Sequence, residues 1–300
     1  MTFSAFVGKW SQRYSFKNRE VEMKSDPSII VKKGRNPGKI VTIMGGVHGN
    51  EPCGVEALRK AIEEIEIING KVYFIFANLA AYALGIRQTQ MNLNRAFRHG
   101  NSLTGEEKTS YERIRALELM PYLRKSVALL DIHSSSNQRS TPFIICEPHS
   151  FDVAKRLPFP IRSHGWDKIE PGGTDYYVNK NPFKGKGICI ECGYHLDPEA
   201  PKRAYESILI FLRLMNMVDG DKNIPINSAQ KQIDASFIYH TKTDFSVVSG
   251  SFPDFGRINE GTVIGYDGNR AITAPFDGVV IFPQNCGGPG EEAFIFGREE

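Results

Sequence analysis

Between residues 39 and 218, apolar runs alternate with segments in which apolar residues recur at helical spacing. KIVTIMGG (39–46) reads as a buried strand ending in two glycines, and Pro52 follows at a position suited to a helix first turn. GVEALRKAIEEIEII (54–68) has the helical period, and GKVYFIFANL (70–79) reads as the next strand. Thr104 and Glu107 have capping-box spacing, which predicts one helix running through about Leu123. SVALLDIHS (126–134), TPFIICE (141–147) and KGICIECG (186–193) read as three further strands, and a long amphipathic helix is expected from about Pro198 to Met217. Strands alternating with helices predict an α/β domain with a mostly parallel, mixed sheet flanked by helices.

After Asp219 the texture changes. GDKNIPINSAQKQ (220–232) is polar and punctuated by Gly and Pro, as a linker would be. Short alternating runs follow, namely DASFIYHT, FSVVSG, GTVIGYD, AITAP, GVVIFP and AFIFG, with no helical segment of useful length. They predict a smaller C-terminal all-β module, so the expected division is 1–219 and 220–300.

Composition narrows the function. The 300 residues are 41% apolar and 24% charged, enough for a buried core. Thirty-seven Lys and Arg against 34 Asp and Glu leave a net charge of only +3, too little excess for a nucleic-acid-coating protein. The longest apolar stretch, Ile208–Val218, is broken by Arg213 and Asn216 and falls short of the ~20 residues that cross a bilayer. MTFSAFVGKWSQRY (1–14) lacks the apolar core of a signal peptide, and the expectation is a soluble, cytoplasmic protein. Five scattered cysteines do not form a disulfide framework. Cys189 and Cys192 are three apart on a strand and point to opposite faces, so they are expected to be buried thiols and not a metal pair.

Three His-x-x-acid pairs occur, His48/Glu51, His149/Asp152 and His164/Asp167, where chance spacing predicts fewer than one. Such spacing can bring an imidazole and a carboxylate to one metal. His48 lies just past the carboxyl end of a predicted strand, where open α/β sheets gather their ligands. The other two pairs lie in loop-like stretches, CEPHSFDV and IRSHGWDK. His133, near the end of SVALLDIHS, supplies a third donor, and His48, Glu51 and His133 make the His₂Glu set of an open zinc site. Such a site needs a base to accept a proton from water, and Glu191, inside the apolar run ICIECG, is the candidate. Asp131 shares the face of His133 and could hold it in place. A further loop crowds Arg87, Asn92, Asn94 and Arg95 into nine positions, suited to carboxylate or carbonyl recognition or simply to solvent.

Together GGVHGNE, NLNRAF, DIHS and IECG resemble, in order and approximate separation, the succinylglutamate desuccinylase/aspartoacylase family, relatives of the zinc carboxypeptidases. The resemblance spans about residues 45–195, and the terminal APFDGVVIFP is similar to that family's C-terminal β module. It implies hydrolysis of an N-acyl amino acid by metal-activated water, with one zinc on His48, Glu51 and His133. It further implies Glu191 as acid/base, Arg87 polarising the scissile carbonyl, and Asn94 with Arg95 holding a substrate carboxylate. The expected partner is a small anionic acyl-amino acid, such as an N-acyl-aspartate or an N-succinylglutamate-like compound, with neither nucleic acid nor membrane. Two family positions differ. Asn181 stands where the pattern has an arginine, and EEAFIFG carries no tyrosine; Tyr176, Tyr177 and Tyr266 are the alternatives. Rival readings are a zinc carboxypeptidase and a catalytically silent binding protein. The oligomeric state is not legible.

Overall fold

The structure is a computed structural model that describes residues 21–23, 27–248 and 252–300. The segment MTFSAFVGKWSQRY, on which the signal-peptide reading falls, lies outside the described residues. In chain order the first half comprises β1 (Val21–Met23), β2 (Ile29–Lys33), β3 (Asn36–Gly45), α1 (Pro52–Glu64), β4 (Asn69–Phe76), α2 (Leu79–Leu84), α3 (Gly105–Thr109), α4 (Tyr111–Leu123) and β5 (Ala128–Ser135). It continues with β6 (Phe143–Cys146), α5 (Phe151–Ala154), β7 (Ile161–His164), α6 (Trp166–Ile169), α7 (Thr174–Asn179), β8 (Lys186–Tyr194) and α8 (Ala200–Leu214). Seven further strands complete it: β9 (Lys231–His240), β10 (Phe245–Val247), β11 (Gly256–Ile258), β12 (Val263–Asp267), β13 (Arg270–Thr273), β14 (Gly278–Ile281) and β15 (Glu292–Glu299).

Twelve strands form one mixed sheet in the order β1-β2-β4-β3-β5-β8-β6-β7-β9-β15-β14-β11, and β10-β12-β13 form a separate antiparallel sheet. The central pairs β4·β3, β3·β5 and β5·β8 are parallel. Their apolar runs are continuous because both faces are covered. Val41, Ile43, Val72 and Phe74 face Leu58 and Ile62 of α1 and Ile208 and Phe211 of α8. Met44, Tyr73 and Ile75, on the other face, meet Leu119 and Leu123 of α4 and Leu93 and Phe97 of the loop before it.

Strand β4 lies on one side of β3 and β5 on the other. The chain therefore reverses direction across the sheet between β3 and β5, and a crevice opens beyond their carboxyl ends. Helix α1 approaches this crevice closely. A Cβ on Gly45 would stand 2.7 Å from the Gly54 backbone, and one on Gly54 would stand 2.9 Å from Ile132 O. These two glycines let α1 press onto β3 and β5, which fixes the loop 46–51 over the strand ends.

Two expectations need correction. The predicted helix from Thr104 is two helices, because Ser110 is extended (φ −65°, ψ 152°) and its Oγ accepts from Arg113 N at 3.1 Å, capping α4 afresh. IRSHGWDK is no loop: it forms β7 and α6, and CEPHSFDV leads into α5. The late β strands, all β as expected, divide between the two sheets. Strand β9 pairs in parallel with β7 and antiparallel with β15, so β9, β15, β14 and β11 extend the large sheet. All five cysteines are free and buried, as the strand reading of CxxC implies.

Candidate metal centre

His48 projects from the loop after β3, and Glu51 sits immediately before α1. Glu51 occupies the N-cap position, yet its side chain makes no cap hydrogen bond, and Pro52 behind it offers no N–H. The carboxylate is thus left for the crevice. His48 Nδ1 lies 2.7 Å from Glu51 Oε1, and His133 Nδ1, from β5, lies 3.0 Å from Glu51 Oε2. The two imidazoles meet edge to face at 5.1 Å. All three residues are buried, and their donor atoms lie within 4.8 Å of one another.

The outer nitrogen of His48 is hydrogen-bonded, and that of His133 stands at ion-pair distance from a carboxylate without a hydrogen-bond partner among the described residues. His48 Nε2 lies 3.0 Å from Asn92 Oδ1, and His133 Nε2 lies 3.1 Å from Asp131 Oδ2. An oxygen beside each Nε2 favours a proton there, which would free both Nδ1 atoms, now paired with the Glu51 carboxylate, to ligate a metal. Asp131 in turn accepts a hydrogen bond from the Thr174 hydroxyl. Charge points the same way. Burial would raise Glu51, but His48 and His133 beside it hold its carboxyl well below the usual range. Burial lowers His48, whereas Cys189, Asp131 and Glu51 outweigh burial and hold His133 well above an ordinary histidine. A buried pair of carboxylates, Glu51 and Asp131, demands positive charge, and a divalent cation on these nitrogens fits that demand.

Glu191 is the residue of β8 directly in register with His133, so the two side chains stand on one face of adjacent strands. It is buried, and its Oε2 has no hydrogen-bond partner among the described residues. Burial pushes its carboxyl up to about 8, with Glu51 adding to the rise and His133 and Arg87 opposing it. Arg87 follows the αL cap of α2 at Gly85, and its carbonyl accepts from Gly49 N at 3.2 Å. Its side chain is 52% exposed, with Nη1 3.5 Å from Glu51 Oε1. Asn94 reaches the centre indirectly: its N–H donates to Asn92 Oδ1 at 2.8 Å, and its Oδ1 accepts from Thr174 N at 3.2 Å. Arg95 does not stand free. It donates to Glu170, and to Glu292 Oε1 at 3.3 Å and Oε2 at 3.2 Å.

The alternative candidates are spent elsewhere. His149 faces Asn179 and Gly185 O, and Asp152 pairs with Lys186. Asn181 donates to Ser126 O and accepts from Phe183 N and Gly185 N, which ties down its own loop. Tyr177 packs against Phe97, and Tyr266 lies on the separate three-stranded sheet.

Two residues escaped the sequence reading. Glu112 of α4 is fully buried and accepts from Thr89 N, Thr89 Oγ1, Gln90 N and Met91 N at 2.6–3.1 Å, with Asn78 Nδ2 at 3.3 Å. It folds the loop that carries Asn92. His195 bonds Ser134 Oγ at 2.9 Å, and its Nε2 lies 3.5 Å from Asn50 Nδ2, so it braces the residues next to His133 and Glu51. An acid in a helix first turn and a histidine in a loop are common enough that neither carries a local signal.

Known proteins resemble this chain in sequence and fold. Residues 37–164 match the family model described as the succinylglutamate desuccinylase/aspartoacylase catalytic domain, which includes His48, Glu51 and His133 and ends before Glu191. A succinylglutamate desuccinylase from Pseudoalteromonas atlantica is 24% identical over 86% of this chain and 80% of its own. An N-acyl-aromatic-L-amino acid amidohydrolase (carboxylate-forming) from Xenopus tropicalis is 30% identical over 37% of this chain and 38% of its own. Among solved structures, a succinylglutamate desuccinylase from Vibrio parahaemolyticus superposes with a TM-score of 0.72 at 18% identity, covering 91% of this chain and 86% of that one. Over residues 37–164, a segment that holds the buried His-Glu-His cluster at the strand ends, this chain is thus similar to the succinylglutamate desuccinylase/aspartoacylase catalytic domain, and it shares the fold of a solved desuccinylase.

Proposed function

We propose that the protein is a zinc-dependent deacylase that hydrolyses the amide bond of a small anionic N-acyl amino acid. The observation that carries this reading is the buried Glu191, whose Oε2 has no hydrogen-bond partner among the described residues, in register with His133 of a His₂Glu cluster. Zinc suits that mixed donor set, held by His48, Glu51 and His133, and would supply Lewis acidity that makes water nucleophilic near neutral pH.

Glu191 accepts the proton of the attacking water at Oε2 and returns it to the leaving nitrogen, which departs as a neutral amine. Its unusually basic carboxyl suits both halves of that exchange. The exposed Arg87 guanidinium donates to the carbonyl oxygen as negative charge gathers there. Asn94, whose Oδ1 is used by Thr174, offers its amide N–H groups toward a substrate carboxylate, and Arg95 lines the same loop. Asn92 and Asp131 keep the histidine rings in place throughout. The relatives named as desuccinylase and amidohydrolase support a deacylase with acyl-amino acid substrates. Five buried, unpaired thiols suit a reducing compartment, and we place the enzyme in the cytoplasm.

The test is amine release from N-acetyl and N-succinyl derivatives of Asp, Glu, Asn and neutral amino acids, by zinc-loaded and chelator-stripped protein. Release that requires zinc supports the proposal. No release from any derivative at stoichiometric zinc removes it, and preferential trimming of peptide C-termini replaces it with a carboxypeptidase.

A further inference from the structure

The loop before α3 carries three arginines, and they differ in what already holds them. Arg98 donates to Glu107 at 2.5 Å and to Arg95 O at 2.8 Å. Arg87 is half exposed and touches one carboxylate, Glu51, at 3.5 Å. Arg95 is held by two acids from distant parts of the chain, Glu170 just after α6 and Glu292 at the start of β15. Its remaining nitrogen, Nη1, donates to Asn94 O at 3.1 Å.

Two carboxylates on one guanidinium leave no net positive charge. Burial pushes Glu170 up to about 8 while Arg95 opposes it, and Glu292 is held low by the same arginine, so near neutral pH the trio is balanced. When both acids are ionised the trio is negative. A ligand carboxylate approaching Arg95 would have to displace an acid that is already bound and leave it unpaired in a largely buried place. Arg95 lies one residue from Asn94 and three from Asn92, which holds His48, so this charge balance is set on the loop that supports the proposed metal ligand.

We infer that Glu170 and Glu292 are specificity-determining residues that close Arg95 to substrate carboxylates, so that the site takes N-acyl amino acids with a single carboxylate in preference to dianionic ones. The inference rests on the deacylase reading above and narrows its substrate class. It also gives the C-terminal strand β15 a part in the site, since Glu292 comes from it.

N-acetyl-L-asparagine and N-acetyl-L-aspartate test it, because they are nearly the same size and differ by one charge. The wild-type enzyme should favour the asparagine compound in kcat/KM by at least ~10-fold, a modest demand on one uncompensated charge at an effective dielectric of about 20. Glu170→Gln/Glu292→Gln should move that ratio at least ~10-fold toward aspartate, and Glu292→Gln alone, at a 39% exposed side chain, should move it the same way if the double variant fails to fold. General damage lowers both substrates together and leaves the ratio alone. Calorimetric binding of the two compounds to zinc-loaded Glu191→Gln protein, with and without Glu292→Gln, reads the same preference without turnover. A wild-type preference for aspartate, or a ratio that stays fixed in the variants, overturns the inference. Failure of the deacylase reading looks different: neither compound is hydrolysed, while the binding ratio still reports on Glu170 and Glu292.

Discussion

Replacing Asp131 by Asn probes the support of the metal centre while leaving every proposed ligand in place. Asp131 is fully buried; its Oδ2 lies 3.1 Å from His133 Nε2 and accepts from Thr174, and its Oδ1 has no hydrogen-bond partner among the described residues. Asparagine has nearly the same volume, so the core should not collapse. The substitution removes one negative charge at contact distance from the ring and can turn an N–H₂ group toward Nε2, favouring the tautomer with its proton on Nδ1. Changes of this kind typically cost 10–100-fold in metal affinity, or roughly 1.4–2.8 kcal/mol. Competition with a fluorescent chelator at fixed pH measures the affinity, and circular dichroism shows whether the fold is kept. An affinity within about twofold of the wild type, in a folded variant, would refute the claim that Asp131 orients His133 for a metal.

Glu112→Ala leaves five donors around residues 78–91 without their acceptor and should lower stability by about 3 kcal/mol or more, read as a lower denaturant midpoint. It should also weaken zinc binding by loosening the loop behind Asn92; unchanged stability would show that the loop stands without it. Glu170→Gln should flatten the pH dependence of stability. The folded-state carboxyl titrates near 8, above its unfolded value, so the wild type loses its contribution as pH rises through about 8 while the variant does not. Denaturant midpoints at pH 5.5 and 8.5 decide this, and parallel profiles for the two proteins would count against it.

Strands β3, β4, β5 and β8 were legible because burial on both faces leaves uninterrupted apolar runs, and α1 because Leu58 and Ile62 repeat at helical spacing against exposed Glu56 and Lys60. The clustering of His48, Glu51 and His133 was legible because strand ends are where this architecture collects ligands. The pairing of β7 with β9 was not. Ile161–His164 is a short half-polar strand whose partner lies beyond a polar connection, and no local pattern reports such a contact. Ser110 was missed because a serine inside a helical stretch looks like an exposed helix residue until its own cap forms. The fate of Arg95 lay furthest from view. Its acids are 75 and 197 residues away, so the loop read as if its arginines were equally available.

The central claim is that one metal on His48, Glu51 and His133 works with Glu191 as its acid/base. Zinc content and hydrolysis measured together on Glu191→Gln protein test it most directly. The expected result is one zinc per chain, as in the wild type, with kcat reduced at least ~10²-fold, the usual scale of general acid–base catalysis. Retained turnover at full zinc occupancy would contradict the account.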